Sequence, residues 1–276
     1  VGISIFIQTL NEEDNLPGLI ESVRWSDDIV VLDSLSTDRT KEIAEAHGCR
    51  WFSREYDGRG PHQNWAMKNI DFKYPWVFYL DADERMTPEL RVEIEKIASN
   101  REEQKVAYFC GRKNYLLGKW IKHAFPPWNI MRFFKPKHVS FARLSNPTVE
   151  IDGEFGYLEE MFIHYNFSKG FHEWFERHNR YSTYEAIETV KAFKECPIIW
   201  KDLVCRDSSV RRKEQKNLSM RLPARAVFKF LYLYIFQRGF LDGAPGFNYC
   251  ILQMIYEYLI VIKVKELKYR KNRMQK

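Results

Sequence analysis

The sequence predicts an α/β fold, a mostly parallel central sheet with helices on both faces, followed by a helical appendage at its C-terminal end. Three observations predict it. Short apolar runs alternate with segments of helical spacing through the first hundred positions, the pattern of strands buried on both faces and joined by crossover helices. Polar clusters (Thr9-Leu10-Asn11-Glu12, Asp33-Ser34 and Asp81-Ala82-Asp83) stand directly after three of the apolar runs, where open α/β sheets bind ligands. Charge is also divided. Residues 211–276 hold 15 Lys/Arg against 4 Asp/Glu, net +11, which leaves 28 against 33, net −5, for residues 1–210.

The elements follow in order. Ile3 to Ile7 is a β-branched strand, and Leu16, Leu19, Ile20 and Val23 give Leu16 to Trp25 a helical face. Ile29 to Leu32 is a second buried strand ending at Asp33. Ser36 is placed to cap a helix over Thr37 to His47, which Gly48 stops. Arg50 to Ser53 is short and strand-like, Pro61 to Ile70 a helix, and Trp76 to Leu80 a strand. Thr87-Pro88 opens the next helix with a cap and a first-turn proline. From Val106 to Asn166 short strand-like pieces, aromatics and loops such as Phe125-Pro126-Pro127-Trp128 predominate, a texture typical of recognition segments. Phe171 to Phe193 reads as a long helix. The expected organisation is a body over residues 1–210, with halves at about 1–105 and about 106–210, and a basic amphipathic region over 211–276.

Composition excludes some classes. With 45% hydrophobic, 16% aromatic and 29% charged residues the chain is neither disordered nor fibrous. Five cysteines without a C-x-x-C pair read as reduced thiols of a cytosolic protein. The first apolar run is a strand without a basic region before it, so no signal peptide is expected. The uncharged stretch Gly243 to Tyr256 is shorter than the ~20 residues of a spanning helix, so none is expected either.

Asp81-x-Asp83 follows the strand Trp76 to Leu80. Two carboxylates at i and i+2 past a buried strand offer oxygen to one hard divalent cation, with water and phosphate completing its shell. A solvated turn before Thr87 would look the same. Asn11 and Asp33 at two other strand ends tilt the balance towards a shared ligand crevice.

Gln8-Thr9-Leu10-Asn11-Glu12-Glu13, Asp33 to Thr40, Gly60 to Ala66, and Leu80-Asp81-Ala82-Asp83-Glu84-Arg85 together resemble the family 2 glycosyltransferases of the Rossmann-like GT-A fold, in particular the lipopolysaccharide-core type. The similarity continues through Tyr115 to Trp120, Met131 to Phe134, Val149 to Gly153, Ile163-His164-Tyr165, Asn179 to Thr183, and Arg238 to Gly243 with Pro245-Gly246. The resemblance implies an inverting, metal-dependent transfer from a nucleotide-sugar donor to a glycolipid or saccharide acceptor. It implies that Thr9, Asn11, Glu12, Asp33, Gln63, Asn64 and Asp81 line the nucleotide pocket. It also implies that Asp83, with Asp81 and His164, holds a divalent cation, Mg2+ or Mn2+.

Two departures from the family pattern stand out. Relatives often carry His-Glu four and three residues before the position of Glu150, where this chain has Asn146-Pro147. Proline accepts no proton, so Glu150 is the expected substitute base, ahead of Asp152, Glu159 and Glu160. Relatives usually have Gln and then Lys or Arg before Asn64, where this chain has His62-Gln63, which leaves the donor's identity open.

The tail has an apolar run from Ala226 to Phe236, a loop over Gly239 to Gly246, and a second helix over Phe247 to Ile262, trailed by Lys263, Lys265, Lys268, Arg270, Lys271 and Arg273. Two short basic-edged helices suit an interfacial hairpin on an anionic leaflet. The expected location is cytoplasmic, peripheral on the inner face of the cell membrane, with no nucleic-acid partner. The rival functions are an Asp-x-Asp phosphotransferase and a catalytically impaired nucleotide-binding scaffold.

Overall fold

The computed structural model describes residues 2–142, 148–195, 197–219, 221–222 and 224–274. It divides into two compact units, one of residues 1–115 with 127–168 and one of residues 116–126 with 169–276.

The first unit is built on a sheet. Strand β1 (Ser4–Thr9), helix α1 (Leu16–Val23), β2 (Ile29–Asp33), α2 (Thr40–Ala46), β3 (Arg50–Ser53), α3 (Arg59–Asn69) and β4 (Val77–Asp81) succeed one another. After them come β5 (Glu84–Arg85), α4 (Pro88–Ser99), β6 (Ala107–Leu116), β7 (Ile130–Phe134), β8 (Val139–Ala142), β9 (Thr148–Ile151) and β10 (Phe155–His164). The sheet runs β3-β2-β1-β4-β7-β6-β10-β5. β3, β2, β1 and β4 are parallel, β7 is antiparallel to both β4 and β6, β10 is parallel to β6, and β5 is antiparallel to β10. β8 and β9 form a separate antiparallel hairpin.

Alternation along the strands separates two cores. Ile3, Ile5, Ile7, Val31, Phe78 and Leu80 face α1 and α4, whereas Phe6, Val30, Leu32, Val77 and Tyr79 face α3 and β8. Because the central strands are apolar on both faces, they carry helices on both, the layered architecture expected from the sequence. Register brings Thr9 opposite Asp33 and Gln8 opposite Asp81, so the polar clusters share the carboxyl edge of the sheet.

Three local expectations hold. Thr87 caps α4 by accepting the Leu90 N–H at 3.2 Å, Gly48 has φ +71° just after α2, and Gly170–Glu195 is one helix, α5. Two need correction. Ser36 does not cap α2, which starts at Thr40 without a side-chain cap, because its hydroxyl and N–H turn back to Asp33. The middle region contains two ten-residue strands, β6 and β10. A register shift between Tyr157 and Met161 breaks the alternation that would have revealed the second.

The second unit is helical: α5, α6 (Ser208–Ser219), α7 (Arg225–Leu231) and α8 (Gly243–Met274). The expected loop shrinks to a 3-10 turn over Gly239–Asp242, and α8 begins at Gly243 and runs for 32 residues, well past Ile262. Pro245 is tolerated because first-turn N–H groups have no intrahelical partner. By length and composition alone, α8 with its preceding turn is long and apolar enough to cross a membrane; 28% of its most apolar window is buried. Ala186 of α5 packs on Ile260 and Val264 of α8, and Arg225 pairs with Glu257 at 2.6 Å.

The Gly239-to-Gly246 motif proves structural. The buried Asp242 carboxylate accepts the N–H groups of Lys122, His123 and Ala124 at 3.1, 2.9 and 2.8 Å. A Cβ on Gly246 would lie 2.4 Å from the Gly239 carbonyl. Asp242→Ala leaves the buried Ala124 N–H without its acceptor, at about 1–3 kcal/mol, and also frees the part-buried Lys122 and His123 N–H groups. We expect it to cost about 2 kcal/mol in urea denaturation; a loss below about 1 kcal/mol contradicts this role.

Candidate active site

The site begins where β1, β2 and β4 end. Asp33 is buried: Oδ1 accepts the Thr9 hydroxyl at 2.7 Å, and Oδ2 accepts the Ser36 N–H at 2.6 Å. Asn11, at φ +52°, accepts the Thr37 N–H at 2.8 Å on Oδ1 and donates its own N–H to Ser36 Oγ. The Glu12 N–H reaches Thr40 Oγ1 at 2.8 Å, and the Glu12 carboxylate receives Asn15 Nδ2 at 2.7 Å. The loops after β1 and β2 are thereby stitched together, with Thr9, Asn11, Glu12 and Asp33 as the stitches.

Under β4 lies a charged cluster. Arg132, 1% exposed, donates to Glu84 Oε1 at 2.6 Å and Asp81 Oδ2 at 2.9 Å. Its guanidinium lies 4.4 Å from the Tyr79 ring centre. Arg59, at the start of α3, reaches Asp81 Oδ2 at 3.1 Å, and the Tyr79 hydroxyl donates to Asp81 Oδ1. Burial disfavours a charge on Asp81, but Arg59, Arg132 and Tyr79 outweigh it and hold its carboxyl far below the usual carboxylate range. Burial pushes the Glu84 carboxyl up to about 7; Arg132 opposes this and the charge of Asp81 adds to it. Glu84 also accepts the Asp81 N–H at 2.9 Å, closing the turn after β4.

Asp83 faces another way. Its Oδ2 lies 3.4 Å from His164 Nε2, and the Tyr165 N–H donates to the Asp83 carbonyl at 2.9 Å. His164 Nδ1 is 3.1 Å from Asn114 Oδ1. The Asn114 amide holds the ring so that Nε2 faces the Asp83 carboxylate. A carboxylate oxygen and an imidazole nitrogen, with the ring held from behind by Asn114, fit a divalent cation. Among the described residues no three His, Cys, Asp or Glu side chains converge on one point. The chain therefore offers two donors here, and the Asp81 oxygens are already bonded to Arg59, Arg132 and Tyr79.

The remaining expected residues are spread out. Asn64 binds the backbone of Phe141 with both ends of its amide, at 2.9 Å each, clamping β8 to α3. Gln63 is buried beside it with Oε1 lacking a partner among the described residues. His62 is buried near Ser34, and burial with Arg54 nearby lowers its pKa. Glu150 is exposed on β9 and receives the Ser140 hydroxyl at 3.0 Å. Asn146-Pro147 lies outside the described residues. Trp128 is 65% exposed, and Phe125 stacks on Tyr249 at 5.0 Å.

Sequence reasoning overlooked Arg59, Tyr79, Glu84, Arg132 and Asn114 as members of the site. One signal was present: Arg132 interrupts the apolar run Ile130 to Phe134, and a charge inside a buried strand requires a buried partner.

With this geometry established, the comparisons are informative. Residues 4–165 match the glycosyl transferase family 2 model, and the chain belongs to that family. It is 28% identical to an uncharacterized glycosyltransferase of Rickettsia typhi across 96% of this chain and 87% of that one. It is 30% identical over 133 residues, 46% of this chain and 47% of the other, to the lipopolysaccharide core biosynthesis glycosyltransferase LpsC of Rhizobium meliloti. Glucosyl-3-phosphoglycerate synthase of Mycobacterium tuberculosis, solved with Mn2+, UDP and glucosyl-3-phosphoglycerate, is 26% identical and covers 41% of this chain and 43% of that one at a TM-score of 0.31, too low to inform the site.

Proposed function

We propose that this family 2 glycosyltransferase inverts the anomeric centre while moving a sugar from a nucleotide donor to a glycolipid or polysaccharide-precursor hydroxyl, at the cytoplasmic face of a membrane. The observation that carries the chemical reading is the Asp83–His164 pair at the carboxyl edge of a sheet that also gathers Thr9, Asn11 and Asp33. The lipopolysaccharide-core assignment draws on the partial similarity to LpsC.

The roles follow from the chemistry of each group. Asp83 and His164 would hold the divalent cation, whose charge favours departure of the nucleoside diphosphate. Arg59, part-exposed beside Asp81, supplies a cation on the α3 side, where the relatives' Lys or Arg is replaced by Gln63. Glu150 is our proposed acceptor of the hydroxyl proton, since its carboxylate is exposed and receives the Ser140 hydroxyl. The phosphotransferase alternative needs Asp81 as a free nucleophile, and both its oxygens are bonded to cations or a hydroxyl.

Thermal melting against a panel of nucleotide sugars with Mg2+ or Mn2+ tests the reading, because a ligand of the native state raises apparent stability by about 2.7 kcal/mol at 100 Kd. We expect one donor with metal to raise the melting temperature and to be turned over with a suitable acceptor. Binding of nucleotide without turnover of any donor would favour the scaffold instead.

A further inference from the structure

In the second unit, α7 passes directly into a wider turn, Tyr232–Phe236, where hydrogen bonds run from residue i+5 back to i; the Gln237 N–H reaches the Tyr232 carbonyl at 2.9 Å. Along this segment Val227, Phe228, Leu231, Tyr232, Ile235 and Phe236 are all exposed, Phe236 to 78%. They form two rows of i, i+4, i+8. In a plain α-helix a four-residue step overshoots one turn by about 40°, so such rows drift around the axis. The wider turn rotates the last step back, keeping all six side chains on one face. Insertions of this kind are frequently functional. Phe240 and Leu241, both about half exposed, extend the apolar surface into the next turn.

The charges around this face have one sign. Asp242 is the only acidic residue between Ala224 and Asn248, and it is buried on three N–H groups. Arg225 is neutralised by Glu257, leaving Lys229 and Arg238 at the rim. The basic end of α8 is partly committed elsewhere. Lys263 Nζ lies 2.6 to 2.8 Å from Asn179 Oδ1, Ser182 Oγ and Thr183 Oγ1 on α5; Lys268 lies over the Phe193 ring; Arg270 pairs with Glu266.

We propose that the face of α7 and its wide turn, formed by Phe228, Leu231, Ile235 and Phe236 with Lys229 and Arg238 at its rim, is the membrane anchor of this protein and lies in the interface of an anionic leaflet. The inference rests on the peripheral-membrane reading above, and replaces the basic end of α8 with this face as the anchoring element. Twelve residues from Arg225 to Phe236 make about 18 Å, too short to span a bilayer of about 30 Å and suited to lying within its surface. A second copy fits less well, since an isologous pairing brings Lys229 and Arg238 towards their own counterparts. Anionic headgroups complement both cations.

Sedimentation with phosphatidylglycerol–phosphatidylcholine vesicles tests the proposal. We expect wild-type protein to bind, and the double replacement Phe228→Ser with Phe236→Ser to weaken partitioning more than about tenfold with an unchanged melting temperature. Charge removal at Lys265, Lys268, Lys271 and Arg273 should weaken it less. A Phe236→Trp protein should shift its fluorescence to the blue on binding. If the wild type binds and the serine protein binds equally, the anchor assignment fails while the membrane reading survives. If the wild type binds no vesicle, both fail. A dimer in solution that dissociates on Phe236→Ser would assign the face to a second copy and overturn the proposal.

Discussion

Arg132→Met is expected to destabilise the protein by about 1–3 kcal/mol, because the fully buried Glu84 carboxyl loses its donor. The energy of the ion pair itself is not the source. Two desolvated charges roughly break even against well-packed apolar groups, whereas without Arg132 the Glu84 carboxyl must be buried as the neutral acid with an acceptor left unmet. Glu84→Gln in the Arg132→Met background is therefore expected to recover part of the loss, since no carboxyl need then be buried as its neutral acid. Asp81 keeps Arg59 in either protein. Urea denaturation of the two variants gives the answer. Equal stability of Arg132→Met and wild type would mean that this buried cluster is not held together as described.

Asp83→Ala is expected to leave folding intact and to lower kcat about 10³-fold. Asp83 sits at the edge of the sheet with part of its side chain accessible, and its carboxylate meets His164. Removing it frees His164 but buries no orphaned charge. Losing the cation's stabilisation of a departing diphosphate forfeits several kcal/mol, and each 1.36 kcal/mol is tenfold in rate. Asp81→Asn should behave differently, because Asp81 neutralises two guanidiniums: stability should fall together with activity. That contrast separates the two aspartates of one short motif.

The parallel half of the fold was legible because its strands are continuous apolar runs and its helices carry conventional start and stop residues, Thr87-Pro88 and Gly48 among them. Legibility failed where a residue had more than one local option. Ser36 looked like a helix cap, but Asp33 offered stronger acceptors three residues away. The loop over Gly239 to Gly246 looked like a break between two helices, yet Gly243 and Pro245 fall in a first turn, where neither residue interrupts an intrahelical bond.

In the site, the carboxylates could be found from their position after strands. Their division of labour could not, because it depends on Arg59 and Arg132, which arrive from α3 and from the antiparallel β7. Asn64 shows the converse. Its neighbourhood in the sequence suggested a nucleotide contact, and only the register of β8 beside α3 reveals the clamp on Phe141.

The central claim is that Asp83 and His164 are this chain's grip on a divalent cation bound with a nucleoside diphosphate. Electron paramagnetic resonance of free Mn2+, titrated with protein in the presence of UDP and of other nucleoside diphosphates, measures that grip without requiring the acceptor. The account predicts that wild-type protein depletes the free Mn2+ signal with one of these diphosphates, and that Asp83→Ala, folded by circular dichroism, does not. Equal depletion by both proteins would contradict it.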